Sequence, residues 1–175
     1  EVNVRAERYD RAKELLHQYI AVQEQRGDAL PDKASTAGGD ESDARLLLVQ
    51  IAEKQGDRAE AIRQLDLIDE PSVRFQAQIH KAVLISRSGD LERARDTLEA
   101  LATQDDNERS IRALTMASIY RAAGRSEQAI TVLEQADADL PDTPEIKYDL
   151  AMLYERQARY DDFESLMRRI IELAP

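Results

Sequence analysis

The chain has 175 residues, with 35 Asp and Glu against 24 Lys and Arg, for a formal net charge of −11. The absence of Cys removes disulfide frameworks, thiol catalysis and Cys-based zinc sites. No apolar run approaches the roughly 18 residues of a membrane span, and the acidity argues against nucleic acid, whose phosphates need clustered Lys and Arg. Apolar residues at 42% are too many for a disordered acidic chain, and 6 Gly with 5 Pro are too few for a many-stranded β fold, so an all-α protein is expected.

The first predicted element is a helix over residues 9–25, with Ala12, Leu15, Leu16, Tyr19 and Ile20 at helical spacing. Its phase implies a turn near Glu7, which makes residues 1–26 a partial repeat. Residues 27–41, from Gly27 through Pro31 to Gly38 and Gly39, read as a flexible inserted loop.

From residue 42 the chain repeats. Gly56, Gly89, Gly124 and the degenerate Ala158 mark short turns separated by 33, 35 and 34 residues. Five residues after each turn stand Ala61, Ala94, Ala129 and Phe163. Nine after stand Leu65, Leu98, Leu133 and Met167. Seven before stand Val49, Ala82, Ala117 and Ala151. Four before stand Ala52, Ile85, Tyr120 and Tyr154. Apolar columns three or four apart on both sides of a tight turn describe two amphipathic antiparallel helices. The small columns let the two backbones approach near the turn. Phe163 breaks that rule, so looser or shifted packing is expected in the last pair. Pro71, Pro141 and Pro175 each follow a second helix. Four pairs are predicted, over 42–74, 75–109, 110–143 and 144–175.

These residues resemble tetratricopeptide repeats (TPR) over 42–175. The resemblance implies a right-handed superhelix of antiparallel helix pairs, an α-solenoid, with the first helices lining the concave side. It also implies that partners are held by two columns of those helices. One holds Leu46, Ile79, Leu114 and Tyr148; the other holds Gln50, Val83, Ser118 and Met152. A largely apolar first column suggests an extended or helical peptide as ligand; packing between neighbouring first helices is the competing reading. The Lys and Asn of chaperone-binding members are missing from these columns, so that clamp is not expected. An early aromatic of the first helix is replaced by Arg45, Gln78, Ala113 and Lys147, and Lys81 stands where a core aliphatic is usual. Residues 148–171 are similar, more narrowly, to large TPR proteins of Gram-negative bacteria. Some of these are outer-membrane lipoproteins facing the periplasm, and one group delivers substrates to a carboxyl-terminal processing protease. This resemblance implies a periplasmic or outer-membrane-associated location, with the cytoplasm as alternative.

No phosphate-binding loop, dinucleotide fingerprint or nucleophile elbow occurs. His17 and His80 have no partner at metal-ligand spacing, and Asp105 to Glu108 lacks the pattern of a calcium loop and reads as a helix N-cap. No enzyme, cofactor, metal site or membrane insertion is therefore expected. Net charge is −3 over 1–41 and −2 in each later segment, an even spread that suits a solvated exterior. The sequence starts at Glu1 and its last helix is strongly apolar, so it reads as a fragment of a longer array whose end contacts another copy. The expected function is a protein-interaction scaffold or adaptor; the alternative is a structural spacer or self-association segment.

Overall fold

A computed structural model describes the backbone of residues 2–29 and 34–173 and the side chains of residues 8–25 and 41–173. Within them the regular structure is entirely helical: α1 (Val2–Ala29), α2 (Ala34–Gln55), α3 (Arg58–Asp66), α4 (Pro71–Arg87), α5 (Leu91–Glu99), α6 (Asp106–Ala122), α7 (Ser126–Asp139), α8 (Pro144–Arg156) and α9 (Tyr160–Leu173).

The turns explain the pairing. Gly56, Gly89 and Gly124 have φ of 76°, 91° and 72°, a left-handed conformation that L side chains avoid. The chain there closes a Schellman-type end: the Asp57 amide donates to the Ala52 carbonyl at 2.8 Å and the Arg125 amide to that of Tyr120 at 2.9 Å. Asp57 and Asp90 then cap the following helices, their carboxylates accepting from the amides of Glu60 and Arg93 at 3.0 and 3.1 Å. Ala158 adopts φ of 59° and reproduces the same turn, with the Arg159 amide 2.9 Å from the Tyr154 carbonyl. The turn is thus kept without a glycine.

The phase-locked columns are the core. Ala61, Ala94, Ala129, Leu65, Leu98 and Leu133 are fully buried, each Leu contributing about 1.5–3 kcal/mol of hydrophobic stabilisation. Phe163 and Met167, in the same columns of the last pair, are half-buried. The helices fall into two compact units, residues 1–88 and 89–175. In the first, α1 lies along α2, α2 against α3, and α3 against α4. Lys13 donates to Gln55 at 3.0 Å and Arg45 to Glu24 at 3.0 Å, so α1 and α2 run antiparallel. Val49, Ala52, Ala61, Leu65, Ile68, Ala77 and Leu84 form one apolar cluster there, and Ile20, Ala44 and Leu48 another. In the second unit α6 packs on α7, α7 on α8, and α8 on α9.

Four expectations are corrected. Residue 7 lies inside α1, so the turn near Glu7 is absent; nothing in Val2–Arg26 is a Gly or Pro that would break a helix. The flexible loop over 27–41 is replaced by helix at 27–29 and from Ala34 onward, because the packed part of α2 propagates through Gly38 and Gly39 at a cost of about 1 kcal/mol each; residues 30–33 lie outside the described residues. The boundaries at 74/75 and 109/110 fall inside α4 and α6: Pro71 is the first residue of its helix, where a missing N–H costs nothing, and Asp105 caps the other. Finally, the even charge of the sequence segments does not survive division by structural unit. Residues 1–88 hold 16 acids and 13 bases, net −3, whereas residues 89–175 hold 19 and 11, net −8. Pro175 lies outside the described residues.

Candidate functional site

The eight column residues divide equally between the units. In the first, Leu46 on α2 is half-buried and packs against the apolar cluster of Leu65 and Leu84, so it supports the fold. Gln50 is exposed, and Ile79 and Val83 on α4 are half-buried. Near them His80 Nε2 lies 3.2 Å from a Glu53 carboxylate oxygen, a bond between α2 and α4 that accounts for this histidine.

In the second unit the structure brings Leu114 and Tyr148 together. Leu114 on α6, Pro144, Tyr148 and Asp149 on α8, and Ile170 on α9 line a shallow depression of about 420 Å³. Tyr148 is 51% exposed. Asp149 beside it reaches Arg121 of α6 at 4.0 Å. Ser118 is exposed and Met152 half-buried; neither lines the depression.

About 100° round the first helices from Leu46 and Tyr148 lies a feature that sequence reasoning missed. The column eleven residues before each turn, where the aromatic is absent, holds a buried cation at two of its four positions, Arg45 and Lys147. The Arg45 side chain, 9% exposed, pairs with Glu24 of α1 and Glu41 and lies 3.4 Å from the Gln64 amide oxygen of α3. The Lys147 side chain, 4% exposed, pairs with Asp137 of α7. Lys81 does the same three positions later, reaching Asp66 of α3. In each, an aliphatic stem fills space while the charged head finds a carboxylate of the preceding helix. The signal was in the sequence: long cations standing in a core column.

A further polar cluster joins α7 to α8. The Tyr154 hydroxyl donates to Glu134 at 2.6 Å, and the Arg159 guanidinium stacks 4.0 Å above the Tyr154 ring. Burial, then the Glu134 carboxylate, pushes the phenol well above its ordinary range, so it stays protonated as a donor. Asp105 caps α6 by accepting from the Glu108 amide at 2.8 Å, and Glu108 in turn accepts from the Gln104 amide at 2.7 Å. Among the described residues no group of three or more His, Asp or Glu side chains could hold a metal ion, and no helix is long and apolar enough to cross a membrane.

Two family models, both of the tetratricopeptide repeat, match residues 46–109 and 120–175. A tetratricopeptide repeat protein from Parabacteroides merdae is similar in structure, with a TM-score of 0.55 and 18% identity over 75% of this chain and 53% of that one. The chain thus spans about half the length of that relative. A Podosopora anserina protein of nearly identical TPR-like repeats gives 0.54 at 17% identity, over 95% and 94% of the two chains. Pseudomonas aeruginosa PilF gives 0.55 at 13%, over 95% and 78%. A comparison with curated proteins finds no match.

Proposed function

Because the chain belongs to the tetratricopeptide repeat family, whose fold is in general a protein-interaction scaffold, we propose that it binds an extended or helical peptide on its first-helix face. The observation that carries this reading is Tyr148, half in solvent and beside Leu114 over one depression. Exposed aromatic anchors beside aliphatic walls supply much of the energy of peptide interfaces. Ile79 and Val83 offer the corresponding surface in the first unit, with Gln50, Ser118 and Met152 as flanking contacts.

The test is a pull-down with the full chain and with Leu114→Asp and Tyr148→Asp, with circular dichroism confirming that each variant is folded. Loss of a partner common to both variants supports the reading; retention of every partner overturns it. Exposed Tyr160 and Ile171 on α9 favour a second reading, self-association through that helix. In that case Ile171→Asp lowers the mass measured by light scattering and leaves the partners unchanged. The adaptor form of the proposal, delivery of a substrate to a carboxyl-terminal processing protease in the periplasm, is supported by the sequence resemblance of residues 148–171. It predicts faster proteolysis of that substrate when the chain is present.

A further inference from the structure

The depression of about 420 Å³ in the second unit has an uneven lining. Leu114 of α6, Ile170 of α9, Pro144 and the Tyr148 ring give it apolar walls. Its other two lining residues, Glu145 and Asp149, are both acidic, and no Lys, Arg or His lines it. They stand four residues apart on α8, one helical turn or about 6 Å along the axis, with Tyr148 on the same side. An apolar hollow is thus bordered along one edge by two carboxylates.

We propose that the ligand of this depression is a peptide segment in which an apolar side chain is flanked by Lys or Arg, a choice that rests on the peptide-binding reading above. The apolar walls take the anchor, and the α8 edge meets the flanks. Both carboxylates are open to a cation from outside. Glu145 is exposed and forms no ion pair among the described residues. Asp149 has only Arg121, at 4.0 Å, the outer limit of an ion pair. Arg121 stands seven residues, about 10.5 Å, along α6 from Leu114 and does not line the depression.

The charge decides between flanks. An acidic flank would meet like charge at this edge, and a neutral one would gain nothing from it. A cationic flank gains both carboxylates and can lie against the half-exposed Tyr148 ring. The same unit already holds such a contact, Arg159 stacked 4.0 Å above Tyr154. The net charge of −8 on residues 89–175 adds a field that draws basic segments toward the unit.

The experiment titrates the isotopically labelled full chain with capped peptides Ser-X-Leu-X-Ser, where X is Lys, Gln or Glu, and follows amide shifts by NMR. The Lys peptide is expected to shift Leu114, Tyr148 and Ile170 saturably and to bind at least about threefold more tightly than the Gln peptide, with the Glu peptide weakest. The double variant Glu145→Gln, Asp149→Asn is expected to bring the Lys and Gln peptides within about twofold of each other. The double variant Glu99→Gln, Asp139→Asn removes two charges of the same unit away from the depression, and should leave the Lys preference intact. Equal binding of the Lys and Gln peptides at these amides overturns the charge preference and leaves the peptide face standing. Equal loss in both double variants also overturns it, because the attraction is then the field of the whole unit. No saturable shift at these amides with any peptide overturns the peptide face as well. Shifts there on diluting the chain alone, without a peptide response, assign the depression to a second copy and overturn both.

Discussion

Lys147 and Ala113 occupy the same position in successive repeats and give two neighbouring clefts different linings. Around Lys147 the cleft, about 560 Å³, carries a buried ion pair with Asp137; around Ala113 the cleft, about 460 Å³, has a methyl group at that position and a mixed lining of apolar and charged side chains. The helix-pair backbone is shared, and the linings differ at several positions: Lys147 against Ala113, Asp137 against Ala102 and Arg169 against Gln135. A repeat fold fixes where a cleft forms, and the residues in its variable columns then decide what charges and contacts line it.

The comparison breaks most sharply at Lys147. Lys147→Ala strands the Asp137 carboxylate, whose side chain is only 14% exposed. Removing one partner of a buried pair leaves an uncompensated charge, so the variant is expected to lose about 3 kcal/mol in urea unfolding. The double variant Lys147→Ala, Asp137→Ala should recover much of that loss. A loss under about 1 kcal/mol would show that water reaches Asp137 well enough to replace the lysine.

A smaller effect is expected at the wall of the Lys147 cleft. Glu134 receives the Tyr154 hydroxyl, whereas its counterpart Glu99 pairs with exposed Arg95. Tyr154→Phe removes a hydrogen bond to a charged acceptor and should cost about 1.5 kcal/mol near neutral pH. Because the phenol is raised in the folded state, by burial first and Glu134 second, its contribution is fully present below the unfolded value of about 10 and is lost as pH rises beyond it. The gap between wild type and Tyr154→Phe should therefore narrow above about pH 10. Unfolding midpoints for both proteins across that range check the sign.

The turns of the two repeats differ as well. Gly124 adopts φ of 72° without strain, while Ala158 is held at 59°. Ala158→Gly relieves a left-handed alanine at the junction of α8 and α9 but adds backbone freedom to the unfolded chain. A net gain of about 0.5–1 kcal/mol, seen as a higher midpoint, is expected. Gly124→Ala should cost a similar amount through φ alone, because a Cβ there meets nothing within 4 Å.

Much of this was legible in the sequence, for a physical reason. Close helix crossings need small residues at fixed offsets from a turn, so Ala61, Ala94 and Ala129 announced both the period and the core. The failures have physical causes too. Pro71 was read as a stop, but proline is equally at home at the first position of a helix, and only the backbone shows which. Arg45 and Lys147 were noted as departures and not as core, because their burial depends on carboxylates of another helix, Glu24 and Asp137. No local pattern ties those partners to their cations. Leu114 and Tyr148 were placed in one column by phase alone, and they do share a depression; Ser118 and Met152, chosen by the same rule, do not line it. Phase predicts which face a residue occupies, and the tilt of adjacent helices decides which residues on that face meet.

The smallest expected effect sharpens the comparison furthest. Ala113→Lys is the reverse of Lys147→Ala, yet its consequence for stability should be far from equal and opposite. The new lysine would reach Glu99, whose side chain is 62% exposed and already has Arg95 nearby. An exposed pair of that kind is worth between nothing and about 1 kcal/mol, and ordering a lysine stem costs a comparable amount. The variant is therefore expected to unfold within about 0.5 kcal/mol of wild type. Asp137, by contrast, is nearly enclosed and depends on its lysine. If Ala113→Lys instead stabilised the chain by several kcal/mol, the Ala113 cleft would be an unfilled gap in the fold. A near-zero change means that the exposed Glu99 gives a new lysine far less than the enclosed Asp137 gives Lys147.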